Sequence, residues 1–273
     1  MITRSLILLL LSTSYLIAQE PEYRVIYGEK EVVTGIKLAG WDRVDNPPTL
    51  DTVPLVSDTK KIRYFEKLGA SIERTATFLE FHNHDILPGQ VIGYGEADPV
   101  KGIPEHYIVH LSGNYRPFAE ANGTIRVKAS HVRRVVLESS RITDTDHPPG
   151  TVVLRDETVM QATSMRWSET GLRALSDNRN VSANWVQLSA VFPNADKTLL
   201  PIDCVLDDYL APSNEATSRL ARYSTADGGV FTFRESMLIP LRRESNFIFH
   251  TIQPAWSLDS IRILFDSVTH ISY

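Results

Sequence analysis

The feature that most constrains the fold is the spacing of turns in residues 151–192, where short apolar runs are separated by polar or glycine-containing turns. Within this segment, Val159, Met165 and Trp167 fall on alternate positions of one predicted strand, so their side chains share a face. Gly171 follows in a turn, where glycine tolerates a positive φ. Turn signals at intervals of about eight to twelve residues favour short strands in an all-β sandwich or barrel.

The same pattern recurs upstream, which predicts a repeated unit. Residues 78–96 align with residues 151–169 without a gap, at an offset of 73 residues (96 to 169). This alignment places Ile86 on Val159 and Tyr94 on Trp167, and a fainter copy places Val32 on Ile86. The match is one of pattern rather than identity. The alternative, that any β-rich chain aligns with itself this well, therefore stays open.

These alignments predict how the chain is divided. We expect an all-β fold with two or three small SH3- or Sm-like barrel units in tandem, followed by a smaller C-terminal β module. We name the expected segments unit 1 (residues 19–74), unit 2 (75–140), unit 3 (150–193) and the C-terminal module (200–273). The C-terminal module does not align with the units, and its Asp227-Gly228 pair between two apolar runs is a strong hairpin signal.

The N-terminus has the layout of a secretory signal peptide. Arg4 provides a positive start, residues 6–11 form an unbroken apolar run, and the small residue Ala18 precedes a polar stretch. The run is short for a membrane span, which needs about 20 apolar residues. We therefore expect residues 1–18 to be removed, which leaves a secreted or periplasmic protein without a membrane span. An uncleaved anchor is the alternative.

Charge and cysteine content exclude several classes of function. The formal net charge is −5 and the longest basic run is short, as at Arg133-Arg134, so nucleic acid is not an expected partner. Cys204 is the only cysteine, which rules out an intrachain disulfide and any zinc site that needs several thiolates. No motif of a serine hydrolase or of a phosphate-binding loop is present, and no cofactor is expected.

One cluster of residues has the composition of a metal site. His82 and His84 stand two apart, so on a strand they would point to the same face, and Asp85 follows directly. His106, His110 or His131 could complete the ligand set. The repeat alignment favours another interpretation, because it places residues 82–85 on the polar turn at residues 155–158 of unit 3.

Two tryptophans are candidate ligand-binding residues, since exposed aromatic rings can stack on sugars. Trp41 lies just after a predicted strand and could be buried or exposed. Trp256 lies in a proline-bearing loop between two apolar strands, where Pro254 stiffens the chain. A stiff loop could present the indole to a ligand or pack it under a sheet. We predict burial, because a small module needs every large apolar group in its core.

The segments SMRWSETGLRAL, RYSTADGGVFTF and HTIQPAWSLDSIRILF give the chain a wider resemblance. With the signal peptide and the β-repeat units, their order resembles a group of secreted bacterial proteins of the planctomycete type whose function is unassigned. In many of those proteins a carbohydrate-binding module follows these segments. The resemblance implies an association with glycans and carries over no catalytic residue.

The functional expectation is accordingly a non-catalytic binding or scaffold protein of the cell envelope, with a glycan or an envelope protein as its partner. The alternative from a different class is a metal-dependent hydrolase that uses His82, His84 and Asp85. A structural subunit that mainly contacts other proteins is a third possibility.

Overall fold

The computed structural model describes residues 20–28, 31–39, 49–55, 62–117, 122–168, 170–193, 220–234, 239–244 and 247–273. The regular secondary structure of this part of the chain is almost entirely antiparallel strand, which confirms the all-β class. Within those ranges, no helix is both long enough and apolar enough to cross a membrane. The predicted signal peptide at residues 1–18 lies outside them.

The first half of the chain contains the strands of units 1 and 2. Those of unit 1 are Tyr23–Tyr27 (β1), Glu31–Gly35 (β2), Leu38–Ala39 (β3), Thr49–Leu50 (β4), Val53–Pro54 (β5) and Ile62–Lys67 (β6). Those of unit 2 are Phe78–Phe81 (β7), Ile86–Gly95 (β8), His106–Leu111 (β9), Tyr115–Pro117 (β10), Thr124–Lys128 (β11) and Val132–Val136 (β12). A 3-10 turn at Ala129–His131 joins β11 to β12. A short helix, Arg141–Asp144 (α1), begins at Ser140, whose hydroxyl accepts from the amide of Thr143.

The second half contains unit 3 and the C-terminal module. The strands of unit 3 are Thr151–Leu154 (β13), Val159–Gln161 (β14), Ser164–Ser168 (β15), Gly171–Ser176 (β16), Arg179–Asn184 (β17) and Leu188–Val191 (β18). Those of the C-terminal module are Leu220–Thr225 (β19), Val230–Arg234 (β20), Ile239–Glu244 (β21), Phe247–Ile252 (β22), Ile261–Leu264 (β23) and Val268–Ser272 (β24). A 3-10 turn at Phe265–Ser267 precedes β24, in the position that Ala129–His131 has before β12.

All four segments share one strand plan. In each, the first strand pairs with the second in the same register, and the partner residue lies eight positions downstream: Val25↔Val33, Leu79↔Leu87, Val152↔Met160 and Tyr223↔Phe231. The same first-strand residue also faces the last strand of its segment: Val25↔Phe65, Leu79↔Val135, Val152↔Val191 and Tyr223↔Ile271. Units 2 and 3 therefore have the strand order that their sequence alignment predicts. Unit 1, which aligns less clearly in sequence, has the same strand pairs.

The C-terminal module differs from its sequence-based description. Its sequence does not align with the units, yet its first hairpin and its last strand pair as theirs do. The difference arises because pairing is made by backbone groups, whereas the sequence comparison depends on side chains. The closure of each segment into a separate barrel, and the segment boundaries, stay predictions.

The turn after the first strand explains residues 82–85. The amide of Phe81 donates to the carbonyl of Asp85 at 3.0 Å, and Leu154 and Thr225 make the equivalent bonds to Thr158 and Gly229 at 2.9 and 3.0 Å. The third turn residue has a positive φ in each case, 64° at His84, 67° at Glu157 and 83° at Gly228. Glycine takes this conformation without strain, which accounts for the strong hairpin signal in the C-terminal module.

The four segments join in a symmetric order within one 14-stranded sheet. Twelve of its strands follow the path β14-β13-β18-β12-β7-β8-β20-β19-β24-β6-β1-β2, and two lie off it, with β9 paired to β8 and β11 paired to β9. Units 3 and 2 meet through their last strands, β18 and β12, with Val191 opposite Val135. Unit 1 and the C-terminal module meet in the same register, with Phe65 opposite Ile271. The two halves then join through second strands, where Ile86 of β8 faces Val230 of β20. When the strands are named as first, second or last of their segment, their order is therefore the same from either end of the path. This is the order expected for two halves related by an approximate two-fold axis.

The core is shared by all four segments. The equivalent first-strand residues Val25, Leu79, Val152 and Tyr223 are all buried and belong to one continuous apolar cluster. The strand pairs therefore set the plan of each segment, and burial of apolar surface in a common core stabilises the whole.

Candidate functional site

A cleft of about 550 Å³ lies between units 2 and 3, in the size range of small-ligand sites. It is lined by the end of β8, the start of β9, the 3-10 turn before β12, and β15 of unit 3. The lining residues are His82, Tyr94, Ala97, Pro104, Glu105, Tyr107, Ala129, Ser130, Val132, Met165, Trp167 and Pro193.

The strand pairing brings the aromatic side chains of the cleft together. Tyr94 of β8 faces Tyr107 of β9 in the ladder, and their rings meet edge to face at 5.4 Å. Trp167 of β15 occupies the position in unit 3 that Tyr94 occupies in unit 2, at the offset of 73 residues. The two equivalent residues therefore meet where the units pack against each other, with ring centroids 6.1 Å apart and planes 21° apart.

Trp167 is the centre of this aromatic group. Its ring stacks on Trp185 at 5.3 Å and 16° on one side, and Tyr107 meets it edge-on at 5.2 Å. Such pairs add about 0.5–1.5 kcal/mol each beyond the area they bury. Only 8% of Trp167 is exposed. Trp167 is therefore mainly a core residue, and the small exposed part of its ring forms an aromatic wall of the cleft together with the half-buried Tyr94.

Polar groups complete the cleft. The hydroxyl of Tyr94 donates to Oε2 of Glu105 at 2.8 Å. Burial, followed by this bond to Glu105, raises the pKa of Tyr94, so the phenol stays protonated and remains a donor near pH 7. Burial and then the nearby Arg133 guanidinium lower the pKa of His82, which keeps its imidazole neutral at that pH.

This combination suits the recognition of a ligand that carries both apolar C–H surface and hydroxyl groups. The half-buried Tyr94 offers apolar contact, Glu105 offers carboxylate acceptors, and a neutral His82 offers one donor and one acceptor. Hydrogen bonds to a charged group are worth about 1.5–3 kcal/mol, so Glu105 would carry much of the orientation of a ligand.

The structure separates the three residues predicted as metal ligands. His82 lines the cleft, whereas His84 is exposed in the turn. Asp85 is buried, where its carboxylate accepts from the amide of Thr232 at 2.8 Å, from the hydroxyl of Thr232 at 2.7 Å and from Nε1 of Trp256 at 2.8 Å. Burial raises the pKa of Asp85, and the bonds from Thr232 and Trp256 oppose that rise.

Across the part of the chain that the structure describes, no three His, Cys, Asp or Glu residues are grouped so that they could hold a metal ion. The three candidates accordingly do not form such a group there. The turn geometry at residues 82–85 is the reason, since a turn does not place alternate side chains on a common face as a strand does.

The structure describes only one of the two candidate tryptophans. Trp41 lies outside the described residues. Trp256 is 0% exposed and stacks on Phe81 at 4.1 Å and 11°, which confirms that it is buried. A buried indole offers no face to a ligand, so the burial of Trp256 does not favour it as a sugar platform, and that role stays a prediction. The reason for the burial is the interface between unit 2 and the C-terminal module, where the backbone of Trp256 also accepts from the amide of Lys128 at 2.9 Å.

Sequence reasoning missed Tyr94, Glu105 and Tyr107 as a group. The available signal was the alignment of Tyr94 with Trp167, which placed two bulky aromatic residues at one repeat position. Nothing in the sequence showed that these two positions would meet.

Comparisons with models of known protein families, with curated proteins and with solved structures found no match to this chain.

Proposed function

We propose that the chain is a non-catalytic binding protein of the cell envelope, and that the cleft between units 2 and 3 binds a carbohydrate. The observation that carries this proposal is the stacked Tyr94–Trp167 wall beside the Tyr94–Glu105 hydrogen bond. Sugar rings present C–H faces that pack on aromatic surface, and hydroxyl groups that donate to carboxylates.

The charges at the cleft also bear on the kind of ligand. The cleft places the acidic Glu105 near a His82 that burial keeps neutral, and the formal net charge of the chain is −5. An anionic ligand would meet repulsion from this carboxylate. A neutral glycan fits the cleft better than an acidic one.

We place the protein outside the cytoplasm, secreted or periplasmic, on the pattern of its first 18 residues. N-terminal sequencing of the exported protein tests this part of the proposal. A mature chain that begins near Gln19 supports it, and an intact N-terminus in the cytoplasmic fraction contradicts it.

Isothermal titration against a panel of neutral oligosaccharides tests the binding site. Glu105→Gln should weaken binding of a glycan that titrates with the wild type about 10- to 100-fold, because a hydrogen bond to a charged acceptor is lost. Since Glu105 is exposed, the melting temperature of the Glu105→Gln variant should stay within about 2 °C of that of the wild type.

Glu96→Gln is the matched control. Glu96 is an exposed carboxylate close in sequence that pairs with Arg166 at 3.3 Å and does not line the cleft, so its variant should bind like the wild type. An equal loss of glycan affinity in both variants would show that the effect comes from surface charge. A wild-type protein that binds no glycan of the panel would contradict the proposal.

The alternative of a metal-dependent hydrolase gains no specific support from the geometry of His82, His84 and Asp85. It stays a prediction that metal analysis tests.

A further inference from the structure

The two ends of the 14-stranded sheet are strands of the same kind. The path begins at β14, the second strand of unit 3, and ends at β2, the second strand of unit 1. Among the described residues, no strand pairs with the outer edge of either. Backbone N–H and C=O groups of an edge strand can pair with a further strand.

The molecule already contains a junction between two such strands. In the middle of the sheet, the second strands of unit 2 and of the C-terminal module meet antiparallel through one residue pair, Ile86 opposite Val230. The common register of the four segments makes Val159 of unit 3 and Val32 of unit 1 the equivalents of these two residues. At the outer edges of β14 and β2 both equivalents are exposed, Val159 to 47% and Val32 to 54%.

We propose that copies of this chain associate by pairing β14 of one copy with β2 of the next. The contact repeats the internal junction, so it places Val159 opposite Val32. The neighbouring pairs would then be Thr158 with Val33 and Met160 with Glu31. Cross-strand apolar pairs stabilise a sheet, and burial of the two exposed valines adds to the backbone bonds.

The geometry of this contact determines the form of the assembly. It joins two different edges, so it is heterologous, and each added copy leaves a β14 edge at one end and a β2 edge at the other. Such contacts extend into open chains unless they close into a ring. The partner is therefore a further copy of the same protein, and the sheet continues from copy to copy.

Sedimentation velocity of the purified protein over a range of concentrations tests the proposal. The average mass of the wild type should rise with concentration beyond that of two copies. Val32→Lys and Val159→Lys each place a charge on one edge and should each sediment as single copies, since lysine on an edge strand opposes pairing. An equimolar mixture of the two variants keeps one intact edge of each kind and should form pairs that grow no further.

Val100→Lys is the control, because Val100 is 96% exposed but lies in a loop between β8 and β9. It should associate like the wild type. A wild type that stays a single copy at every concentration would overturn the proposal. So would dimers of each lysine variant alone, because they would show that like edges pair with like.

Discussion

The hydrogen bond between Trp256 and Asp85 offers a quantitative test of how unit 2 joins the C-terminal module. Nε1 of Trp256 donates to the Asp85 carboxylate at 2.8 Å, and both residues are buried. Trp256→Phe removes this donor and keeps an aromatic ring that can stack on Phe81. The substitution therefore separates the polar contribution from most of the packing.

The expected cost has two parts. Loss of a hydrogen bond to a charged, buried acceptor costs about 1.5–3 kcal/mol. The smaller ring also leaves part of the buried site unfilled, which costs about 0.5–1.5 kcal/mol where the surrounding side chains close around it. We expect the free energy of unfolding to fall by about 2–4 kcal/mol. At about 2–4 °C per kcal/mol for a chain of this size, the melting temperature should fall by about 4–16 °C.

Urea unfolding followed by circular dichroism measures this change, and a double-mutant cycle with Asp85→Asn isolates the pair. Asparagine is neutral, so in that background the lost bond is worth only about 0.5–1.5 kcal/mol. Trp256→Phe should therefore cost about 1 kcal/mol less there than in the wild type. Trp185→Phe is a control for the loss of a stacked indole, because its ring is only half-buried.

Two results would refute this reasoning. A Trp256→Phe variant within about 0.5 kcal/mol of the wild type would show that the carboxylate does not depend on the indole. If Trp256→Phe lowered the free energy of unfolding equally in the wild type and in Asp85→Asn, the loss of stability would be due to packing alone.

Two further predictions concern histidines. Burial lowers the pKa of His250 from 6.5 to about 3, so its neutral form is favoured on folding, and the stability it contributes is present above pH 6.5 and lost as pH falls toward 3. Urea unfolding between pH 7 and pH 4 should show the free energy of unfolding of the wild type falling by about 1.4 kcal/mol per pH unit relative to His250→Gln. If the free energies of the two proteins depend on pH in the same way, His250 is not the group responsible. The purified protein should hold no stoichiometric zinc by mass spectrometry, and His82→Ala with His84→Ala should change stability by less than about 0.5 kcal/mol. One metal ion per chain that is lost in the double variant would instead support the hydrolase.

The repeat could be predicted because it is local. The offset of 73 residues between units 2 and 3 is also the offset of their first hairpins, in which Leu79 faces Leu87 and Val152 faces Met160. Turn residues and apolar alternation specify a hairpin from neighbouring positions alone, so one sequence holds the information.

The fourth copy of the plan could not be predicted in the same way. Tyr223 faces both Phe231 and Ile271 as Leu79 faces Leu87 and Val135, yet these side chains are of different kinds. Backbone hydrogen bonds make the ladder, and many different side chains satisfy the same register.

The short basic pair also shows the limit of local reasoning. Arg133 and Arg134 are adjacent cations in the sequence, yet both form ion pairs with Glu80, and only 11% of the Arg134 side chain is exposed. Because Glu80 is more than 50 residues upstream, no residue near the pair in the sequence indicates that the strands β7 and β12 bring these charges together.

The amino-acid sequence by itself determined the all-β class, the turn at residues 82–85 and the burial of Trp256, because each follows from spacing, turn chemistry or the apolar demand of a small module. Only the tertiary structure decided that Asp85 is the partner of that indole, and that Tyr94 meets Trp167 to form a cleft with Glu105. These contacts join segments far apart in the chain. They arise from the order in which whole units pair along the sheet, and that order depends on the surfaces of folded units.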